Sequence, residues 1–276
     1  MKFNNSNKYI FTCLKGIGDA LILINFLHKK KNVNVTVLLS ERLHFLIDYF
    51  PSMTNIIMVD NRLCSIYFIK KNFYHLPFFI KLRKLLIDYI NLDYKLVLFD
   101  DCIKNKFFLY NIEKFVFSGK NIYENYEDFF ITNTKFLNIN NMSKYFLIFP
   151  FGNSMKRSMN ITFIDILTNG LTKRKIEYKF LVHNSVKFGN DFNKFKKNTF
   201  FFRNFNEIDS LINKSNNIIT VDSSSLHYSI MNKLNIYLFT SSWKRYIPKF
   251  LFDQNKVFNF NELDNFFAVL SNDYGN

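Results

Sequence analysis

Short apolar runs alternate with amphipathic helical patterns along the 276 residues of this chain. Strands are predicted at 9–14, 33–39, 55–59 and 95–99 in the first half, and at 145–149, 178–182, 199–202, 217–221 and 235–239 in the second. Helices are predicted at 20–30, 41–49, 77–90, 160–172, 207–214 and 226–232. Strands that alternate with helices in this way form parallel sheets covered by helices on both faces. The pattern therefore predicts an α/β protein built from doubly wound units.

A polar stretch at 121–144, rich in Asn, Glu and Asp, interrupts this alternation. We interpret the stretch as a linker, so that residues 1–140 form an N-terminal Rossmann-like domain and residues 141–276 form a C-terminal one. Both lengths suit a single α/β domain of roughly 100–150 residues. A last helix at 261–270 is expected to pack across the junction between the two domains.

The most informative motif is Asp222-Ser223-Ser224-Ser225-Leu226-His227, which joins the strand at 217–221 to a helix. Small hydroxyl residues at a helix start present unpaired backbone N–H groups and the positive end of the helix dipole. Phosphate groups bind well at such a point, so the motif predicts a phosphate site. His227 has a second interpretation as a core histidine on the helix.

A second strand-to-helix turn, Lys15-Gly16-Ile17-Gly18-Asp19, follows the first strand. Gly16 and Gly18 permit a tight turn and a close approach of the backbone to a ligand. The turn resembles the start of a dinucleotide-binding fingerprint, but Leu21 stands where that pattern needs its third glycine. Asp19 is either a helix N-cap or a general base for a substrate hydroxyl. Two such turns, one in each half, predict a cleft between two domains.

A third loop, from Phe149 to Arg157, leaves the first strand of the second half and ends in two adjacent cations. Lys156 or Arg157 suits a diphosphate leaving group, whereas the alternative is an ordinary solvated loop. No Asp-x-Asp occurs in the sequence, although Asp100-Asp101 follows a strand. The three cysteines are widely spaced, which favours neither a disulfide framework nor a zinc site. We therefore expect no metal and no cofactor.

The net charge of +15 is compatible with nucleic-acid binding, but a lysine-rich composition from AT-rich codons explains it equally well. Basic and aromatic residues interleave between Lys70 and Lys84. Such a segment suits an anionic membrane face, and its alternative is a solvated helix with an aromatic stripe toward the core. No apolar window reaches the roughly 18–20 residues of a membrane span, and no signal peptide is evident, so a cytoplasmic location is expected.

From Val221 to Thr240 the chain resembles the signature of glycosyltransferase family 9, in which Asp-Ser/Thr-Gly-x-x-His opens a helix and a strand ending in Phe-Gly follows. The turn from Lys15 to Leu21 resembles the family's N-terminal Gly-Asp turn, and the Phe149–Arg157 loop takes the place of its Pro-Gly loop with a downstream lysine. Ser224 replaces the glycine of the family pattern, and Thr240 replaces the glycine that ends the second strand. The resemblance thus spans both halves of the chain.

The resemblance implies a GT-B fold, in which two Rossmann-type domains face a central cleft. It also implies an inverting, metal-independent transfer of a heptose or hexose from a nucleotide-diphosphate donor such as ADP-heptose. The expected acceptor is a lipopolysaccharide or other surface glycan precursor at the inner face of the inner membrane, with peripheral contact to anionic lipid. Nucleic acid is not an expected partner. The alternative is a catalytically degenerate binding protein on the same fold.

Site residues follow from the resemblance position by position. Asp19 matches the catalytic base, and Gly16 and Gly18 belong to the acceptor-side turn. Lys156, or less directly Arg157, matches the cation on the diphosphate. The donor phosphate loop matches Asp222, Ser223, Ser224, Ser225 and His227. His183 and Asn184 occupy the loop that meets the donor ribose, where the family often has a carboxylate.

Overall fold

The chain divides into two compact units, Met1–Asn133 and Thr134–Asn276. The computed structural model describes residues 2–4, 6–13, 16–30, 34–60, 76–98, 114–116, 121–130, 145–152, 154–186, 189–241 and 246–274. Side chains at 76–79, 82, 98 and 114–116 are outside this description.

A parallel sheet forms the centre of the first unit, with five strands among the described residues. The strands are β1 (Lys8–Cys13), β2 (Val35–Ser40), β3 (Thr54–Val59), β4 (Tyr94–Leu98) and β5 (Lys114–Val116). The helices are α1 (Ile17–His28), α2 (Leu76–Asn91), α3 (Ile122–Phe130) and a 3₁₀ helix at Glu41–Tyr49. In the strand order β3-β2-β1-β4-β5, the strands β2 and β3 lie on one side of β1 and the strands β4 and β5 lie on the other. The order of strands therefore reverses between β1 and β4, while all strands remain parallel. In doubly wound sheets, ligands bind at the carboxyl edge of such a reversal.

Helix α1 is buried over its whole central part, because residues 20–27 are all buried. A helix that is apolar on every side must be covered on every side. Helix α3 supplies one of these covers, since Phe26 of α1 stacks on Tyr126 and Phe130 of α3 with ring centroids 5.0 and 5.9 Å apart. Tyr9 and Phe11 of β1 complete this aromatic cluster against Phe129.

The interpretation of 121–144 as a linker is wrong for its first part, because residues 122–130 form α3 within the first unit. Polar residues dominate this segment by number, but its aromatic residues recur at helical spacing, and Tyr123, Tyr126, Phe129 and Phe130 are buried. The spacing of the aromatic residues therefore indicated a helix that the average composition of the segment did not. Residues 131–144 lie outside the described part of the chain.

The second unit is built on another parallel sheet, with six strands among its described residues. The strands are β6 (Tyr145–Phe149), β7 (Glu177–His183), β8 (Thr199–Phe202), β9 (Asn217–Val221), β10 (Asn235–Phe239) and β11 (Val257–Phe258). The α-helices are α4 (Ile161–Lys173), α5 (Asp209–Ile212), α6 (Ser224–Met231), α7 (Lys249–Asp253) and α8 (Leu263–Tyr274). Shorter 3₁₀ helices occupy Met155–Arg157, Asn190–Asn198 and Phe205–Ile208. In the strand order β11-β10-β9-β6-β7-β8, the strands β7 and β8 lie on one side of β6 and the strands β9 to β11 lie on the other, so the order of strands reverses between β6 and β9.

Helix α8 packs on the second unit's own sheet. Phe266 is fully buried, with ring centroids 5.6 Å from Tyr237, 5.3 Å from Phe239 and 5.6 Å from Phe258. Leu263, Phe266, Phe267 and Leu270 all belong to the core cluster of this unit. The core of the second unit thus buries the apolar residues of α8, and the expected packing of this helix across the domain junction stays a prediction.

A buried polar network holds the end of α8 at the amino edge of the sheet. The Lys256 ammonium group donates to Asn235 Oδ1 at 2.6 Å and lies 3.4 Å from an Asp273 carboxylate oxygen. The Tyr237 hydroxyl donates to the same carboxylate at 2.6 Å. Buried polar groups are tolerated when they are hydrogen-bonded to one another, and this network meets that condition while fixing the register of α8 on β10 and β11.

The two-domain parallel α/β fold predicted from the sequence is confirmed. Most strand ends agree to within one or two residues, because strongly apolar runs between polar residues define them well. The predicted helix at 207–214 is instead a 3₁₀ turn followed by the short α5. The short strands β5 and β11, with three and two residues, gave no periodic signal.

Replacement of Gly170 by alanine is expected to destabilise the second unit. An added Cβ would lie 2.0 Å from Cζ of Phe267, and the Arg174 guanidinium group lies 4.4 Å from the centre of the same ring. Overpacking of this kind costs about 1–3 kcal/mol, of which alanine's better helix propensity returns up to about 1 kcal/mol. Urea unfolding of Gly170→Ala should show a net loss, whereas the exposed neighbour Asn169→Ala should be neutral or slightly stabilising. Equal stability of Gly170→Ala and the native protein would contradict the close packing.

Candidate functional site

Two loops start side by side at the strand reversal of the second sheet. Strands β6 and β9 are parallel neighbours, and Phe149, the last residue of β6, pairs with Thr220, one residue before the end of β9. The loop from Pro150 to Asn160 and the turn from Asp222 to Ser225 therefore leave the same edge of the sheet. This edge is where an open α/β sheet binds its ligands.

The Pro150–Asn160 loop is closed by its own backbone. The N–H of Met159 donates to Pro150 O at 2.8 Å, and the N–H of Gly152 donates to Ser158 Oγ at 3.1 Å. Gly152 is required here, because an added Cβ would lie 2.8 Å from Arg157 O. The loop thus presents the 3₁₀ turn Met155–Arg157 in one conformation. Asn153 lies outside the described residues.

The two adjacent cations of this loop have different surroundings. Lys156 is exposed, whereas Arg157 is half-buried. Burial raises the pKa of the Asp222 carboxyl group, and the positive charge of Arg157 opposes this by lowering it. Among the described residues, Arg157 is therefore a cation that the fold brings to the strand reversal, near Asp222 and the start of α6. The sequence favoured Lys156 as the cation that contacts the diphosphate. The difference between Lys156 and Arg157 becomes visible only in the geometry of the loop.

Hydroxyl groups organise the first turn of α6. Ser223 is the N-cap, and its Oγ accepts a hydrogen bond from the N–H of Ser225 at 3.3 Å. The Ser225 hydroxyl shares hydrogen bonds with Ser223 Oγ at 2.6 Å and Thr220 Oγ1 at 2.8 Å. Ser223 and Ser225 are thus engaged within the protein, while Ser224, the first residue of the helix, is half-exposed. Ser224 contributes a backbone N–H that no preceding helical turn can satisfy.

His227 is buried in α6 and is held neutral. Its burial lowers the pKa of the imidazole from 6.5 to about 3. A neutral histidine adds no positive charge to an anion site, so among the described residues Arg157 and the helix start are the groups that attract an anion to this turn. The core interpretation of His227 fits its surroundings, and its contact with a donor remains a prediction.

His183 connects the ends of β7 and β8. Its Nε2 lies 2.7 Å from Arg203 O, and since a carbonyl oxygen only accepts, Nε2 carries the proton. Its Nδ1 accepts hydrogen bonds from the Ser185 hydroxyl at 2.6 Å and the Ser185 N–H at 3.1 Å. Both ring nitrogens are thus used to hold the loop that begins at Asn184. The prediction that His183 and Asn184 contact the donor remains a prediction.

A cavity of about 790 Å³ adjoins the Pro150–Asn160 loop on the side toward β7. Its walls come from the loops that follow β6 and β7 and from the first turns of α4. The lining residues are Phe151, Gly152, Ser154, Met155, Ser158, Met159, Asn160, Ile161, Ile164, Ser185, Val186, Gly189, Asp191 and Phe192. The Asp222–His227 turn is not among them, so the cavity and the helix start are two neighbouring features joined by one loop.

Asp191, which no motif in the sequence indicated, lines this cavity. The residue lies in the 3₁₀ helix Asn190–Asn198, where no element was predicted. Its one local signal was the apolar spacing of Phe192 and Phe195, which pack against Phe180 at 5.5 and 5.3 Å between ring centroids. This packing returns the segment to the sheet edge and so places Asp191 beside the cavity.

In the first unit, Asp19 lies in the first turn of α1 at the carboxyl end of β1. The N-cap of α1 is Gly16, with no side-chain cap, and Asp19 is the third helical residue. The interpretation of Asp19 as the N-cap is therefore wrong. Burial, followed by the negative charge of Asp19, raises the pKa of Cys13, and both also raise the pKa of Tyr126. Asp19 thus lies close to the end of β1 and to α3.

Among the described residues, His, Cys, Asp and Glu do not form any group of three that suits a metal ion. Asp100 and Asp101, which the sequence placed at the end of a strand, lie outside the described residues, as does Lys15. The expectation of a metal-free mechanism therefore stays a prediction.

Solved structures with the same architecture show which fold this is. The glycosyl transferase family 9 protein from Veillonella parvula DSM 2008 aligns with a TM-score of 0.61 and 13% identity, over 92% of this chain and 85% of its own. The fold is that of the family 9 glycosyltransferases. E. coli heptosyltransferase WaaC with ADP-2-deoxy-2-fluoro heptose aligns with a TM-score of 0.55 and 10% identity, over 95% of this chain and 99% of its own. E. coli ADP-heptose lps heptosyltransferase II gives 0.54 and 12%, over 91% and 89%.

No family model and no curated protein matches the sequence. The resemblance seen in the sequence motifs is confirmed as a shared fold with family 9 glycosyltransferases. Because the identity is only 10–13%, the role of each residue has to be inferred from the geometry of this site and not from the alignment.

The buried, neutral His227 should make the protein acid-sensitive. Below pH 6.5 the unfolded chain binds a proton at this residue that the folded chain excludes down to about pH 3. The free energy of unfolding should therefore fall with decreasing pH, by up to about 1.4 kcal/mol per pH unit from this group. Urea unfolding of His227→Asn between pH 7.5 and 5 should show a flatter pH dependence than the native protein. The exposed-site control His44→Asn should retain the native slope, and identical slopes for all three proteins would contradict the neutral state of His227.

Proposed function

We propose that the protein is an inverting, metal-independent glycosyltransferase that moves a heptose or hexose from a nucleotide-diphosphate donor to a lipopolysaccharide or other surface-glycan acceptor. The observation that carries this proposal is the strand reversal of the second sheet, where Arg157, the start of α6 and a 790 Å³ cavity adjoin one another. A nucleotide-sugar donor needs these three features together: a cation, backbone donors for phosphate and a space for the nucleoside. The fold is shared with proteins whose solved structures contain ADP or an ADP-heptose analogue.

The diphosphate is proposed to bind at the start of α6. Ser223 and Ser225 fix the turn, so that the N–H of Ser224 and the helix dipole point at one position. Arg157 adds a guanidinium group, which suits two phosphate oxygens at once. The Asp222 carboxyl group lies near enough to that cation for their charges to interact. In this arrangement Ser224 contributes through its backbone, and a side chain at this half-exposed position is tolerated.

The nucleoside is proposed to occupy the cavity between the loops after β6 and β7. Apolar side chains of Phe151, Ile164 and Phe192 line it and suit the faces of a base. Asp191 supplies the carboxylate that accepts hydrogen bonds from the ribose hydroxyls. His183 and Asn184 cannot take this role, because neither residue has a carboxylate. The Pro150–Asn160 loop then links both parts of the donor, since Gly152 and Ser158 line the cavity while Arg157 meets the phosphates.

Asp19 is proposed as the general base. Its carboxylate accepts the proton of the acceptor hydroxyl as that oxygen attacks the anomeric carbon of the donor sugar. The bond from the anomeric carbon to the diphosphate oxygen breaks in the same step, so the configuration is inverted. The charge that develops on the diphosphate is stabilised by Arg157 and the first N–H groups of α6, which are already oriented before the reaction. Gly16 and Gly18 leave room for the acceptor at the turn next to Asp19.

Arg157 and Asp191 should separate the two parts of the donor site. Calorimetric titration with ADP, GDP, UDP and dTDP first identifies the nucleotide that binds. Arg157→Gln should weaken that diphosphate about tenfold or more but leave the matching nucleoside unchanged, because the lost interaction is to phosphate. Asp191→Asn should weaken the nucleoside and its diphosphate by the same factor.

The matched control is Lys156→Gln, which removes the same charge one residue away on the exposed side of the turn. It should retain nearly native affinity. A larger loss for Lys156→Gln than for Arg157→Gln would reverse the assignment, and unchanged diphosphate affinity in Arg157→Gln would exclude the proposed phosphate site.

Asp19→Asn should abolish most turnover while donor binding persists. The carboxylate's proton-accepting charge is lost, and the removal of a general base typically lowers the rate 10²–10⁴-fold. The nucleotide affinity should be native, because the donor binds to the second unit. Transfer is followed by release of nucleotide diphosphate in EDTA-treated buffer. Near-native turnover of Asp19→Asn would exclude the residue as the base, whereas nucleotide binding without turnover by the native protein would favour a degenerate binding protein.

A further inference from the structure

Alternate residues of β1 point to one buried face of the first sheet. Tyr9, Phe11 and Cys13 are two residues apart, so their side chains lie on the same face, and all three are buried. Phe129 of α3 covers the first two, with ring centroids 5.4 Å from Tyr9 and 6.0 Å from Phe11. Cys13 is the last residue of the strand and lies at the carboxyl edge, where α1 begins with Asp19 in its first turn.

Helix α3 runs antiparallel to β1 across this face. The carbonyl oxygen of Phe129, near the end of α3, accepts a hydrogen bond from the N–H of Phe3 at 2.7 Å. Phe3 precedes β1, so the C-terminal end of α3 lies at the amino end of the strand. The earlier residues of α3 therefore lie nearer the carboxyl end of β1.

The register of α3 on β1 places Tyr126 beside Cys13. Phe130 stacks on Phe11 with ring centroids 6.0 Å apart. Tyr126 precedes Phe130 by one helical turn, about 6 Å, and Cys13 follows Phe11 by two strand residues, about 6.6 Å. The electrostatics agree, because burial raises the pKa of Tyr126 and the charges of Cys13 and Asp19 raise it further.

Stacking on α1 fixes the ring of Tyr126. Its centroid lies 5.0 Å from that of Phe26, with 24° between the ring planes, and the residue is 4% exposed. Phe26 follows Asp19 by seven residues, which is two turns, so both lie on the same side of α1. Helical side chains lean toward the N-terminus of their helix, so the Phe26 ring and the phenol stacked on it lie on the Asp19 side.

The Asp19 carboxylate lies at the border between this core and the open turn. A Cβ added at Gly16 would lie 3.8 Å from Asp19 Oδ2, so the carboxylate is folded back toward the start of α1. The residue is half-buried and therefore meets both solvent and protein. A general base is efficient only when neighbouring groups hold it in the productive orientation.

We propose that the Tyr126 hydroxyl donates a hydrogen bond to the Asp19 carboxylate and so acts as a positioning residue for the base. The catalytic part of this inference rests on the proposed function, since it takes Asp19 as the base. A phenol suits the task, because it is a good neutral donor and a carboxylate is an acceptor. The Cys13 thiol of the same cluster is a weaker donor.

The donor role needs a phenol that keeps its proton. Burial, with the charges of Cys13, Asp19 and Tyr123, raises the pKa of Tyr126 well above 10. Burial, followed by the charge of Asp19, likewise raises the pKa of Cys13. Both groups are therefore protonated near neutral pH, and the carboxylate of Asp19 is the acceptor among them. A hydrogen bond of this kind favours the charged form of the carboxylate.

A titration of Asp19 tests the contact without any need for turnover. NMR of protein labelled at its aspartate carboxyl carbons follows the ionisation, and Asp19→Asn identifies the signal by its loss. Tyr126→Phe keeps the ring that stacks on Phe26 and removes only the hydroxyl. The Asp19 titration should then move to higher pH, because the ionised carboxylate loses a hydrogen bond.

Turnover supplies the second measurement. In Tyr126→Phe, kcat should fall about tenfold, because a base that is no longer held spends less time in the productive orientation. The acid limb of the pH–rate profile should move to higher pH with the Asp19 titration. Nucleotide affinity should remain native, because the donor is proposed to bind the second unit.

Two further variants serve as matched comparisons. Tyr9→Phe removes an equally buried hydroxyl at the amino end of β1, where it accepts a hydrogen bond from the N–H of Asn4 at 2.9 Å. It should leave both the Asp19 titration and kcat unchanged. Cys13→Val removes the thiol of the cluster and should likewise leave the titration near its native position.

The outcomes separate this inference from the proposed function. An unmoved Asp19 titration in Tyr126→Phe, or an equal movement in Tyr9→Phe, would overturn the inference. A movement in Cys13→Val alone would assign the contact to the thiol and also overturn it. A titration that moves as expected in a protein without transferase activity would support the contact and count against the proposed function.

Discussion

The candidate site depends on one constraint, the parallel pairing of β6 with β9. Parallel neighbours end at the same edge of a sheet, and the register that pairs Phe149 with Thr220 brings the two following segments to one point. A shift of this register would move the turn at Ser223 relative to the loop that carries Arg157, and no local motif could restore their proximity. The relative position of the two loops at the candidate phosphate site is thus determined first by the pairing of the strands and only then by the loop sequences.

Burial controls the charges at this edge in opposite directions. It raises the pKa of Asp222 and lowers that of His227, because a low dielectric disfavours the charged form of each group. Arg157 opposes the effect on Asp222, and His227 remains neutral inside α6. The region therefore has a defined positive group near the helix start instead of a diffuse basic patch. The net charge of the chain, large as it is, does not explain the site.

The aromatic residues of the chain serve packing. Phe26, Tyr126 and Phe130 fix α3 on α1, and Phe239 and Phe266 fix α8 on the second sheet. Large aromatic rings bury much apolar area per residue, so a few of them suffice to fix a helix on a sheet. Gly170, which lies within α4, allows this helix to approach Phe267 closely. The same packing returns the 190–198 segment to the sheet and brings Asp191 to the cavity.

The sequence by itself determined the α/β class, the two sheets, most strand ends and the loop positions, because apolar periodicity and small residues after strands are local signals. It also determined the likeness to family 9 glycosyltransferases through the motifs around Asp19 and Asp222. Only the tertiary structure decided that the charge of Arg157 acts on Asp222, that Gly16 caps α1, and that Asp191 lines the cavity. These outcomes depend on strand register and on contacts between distant segments, which no window of sequence contains.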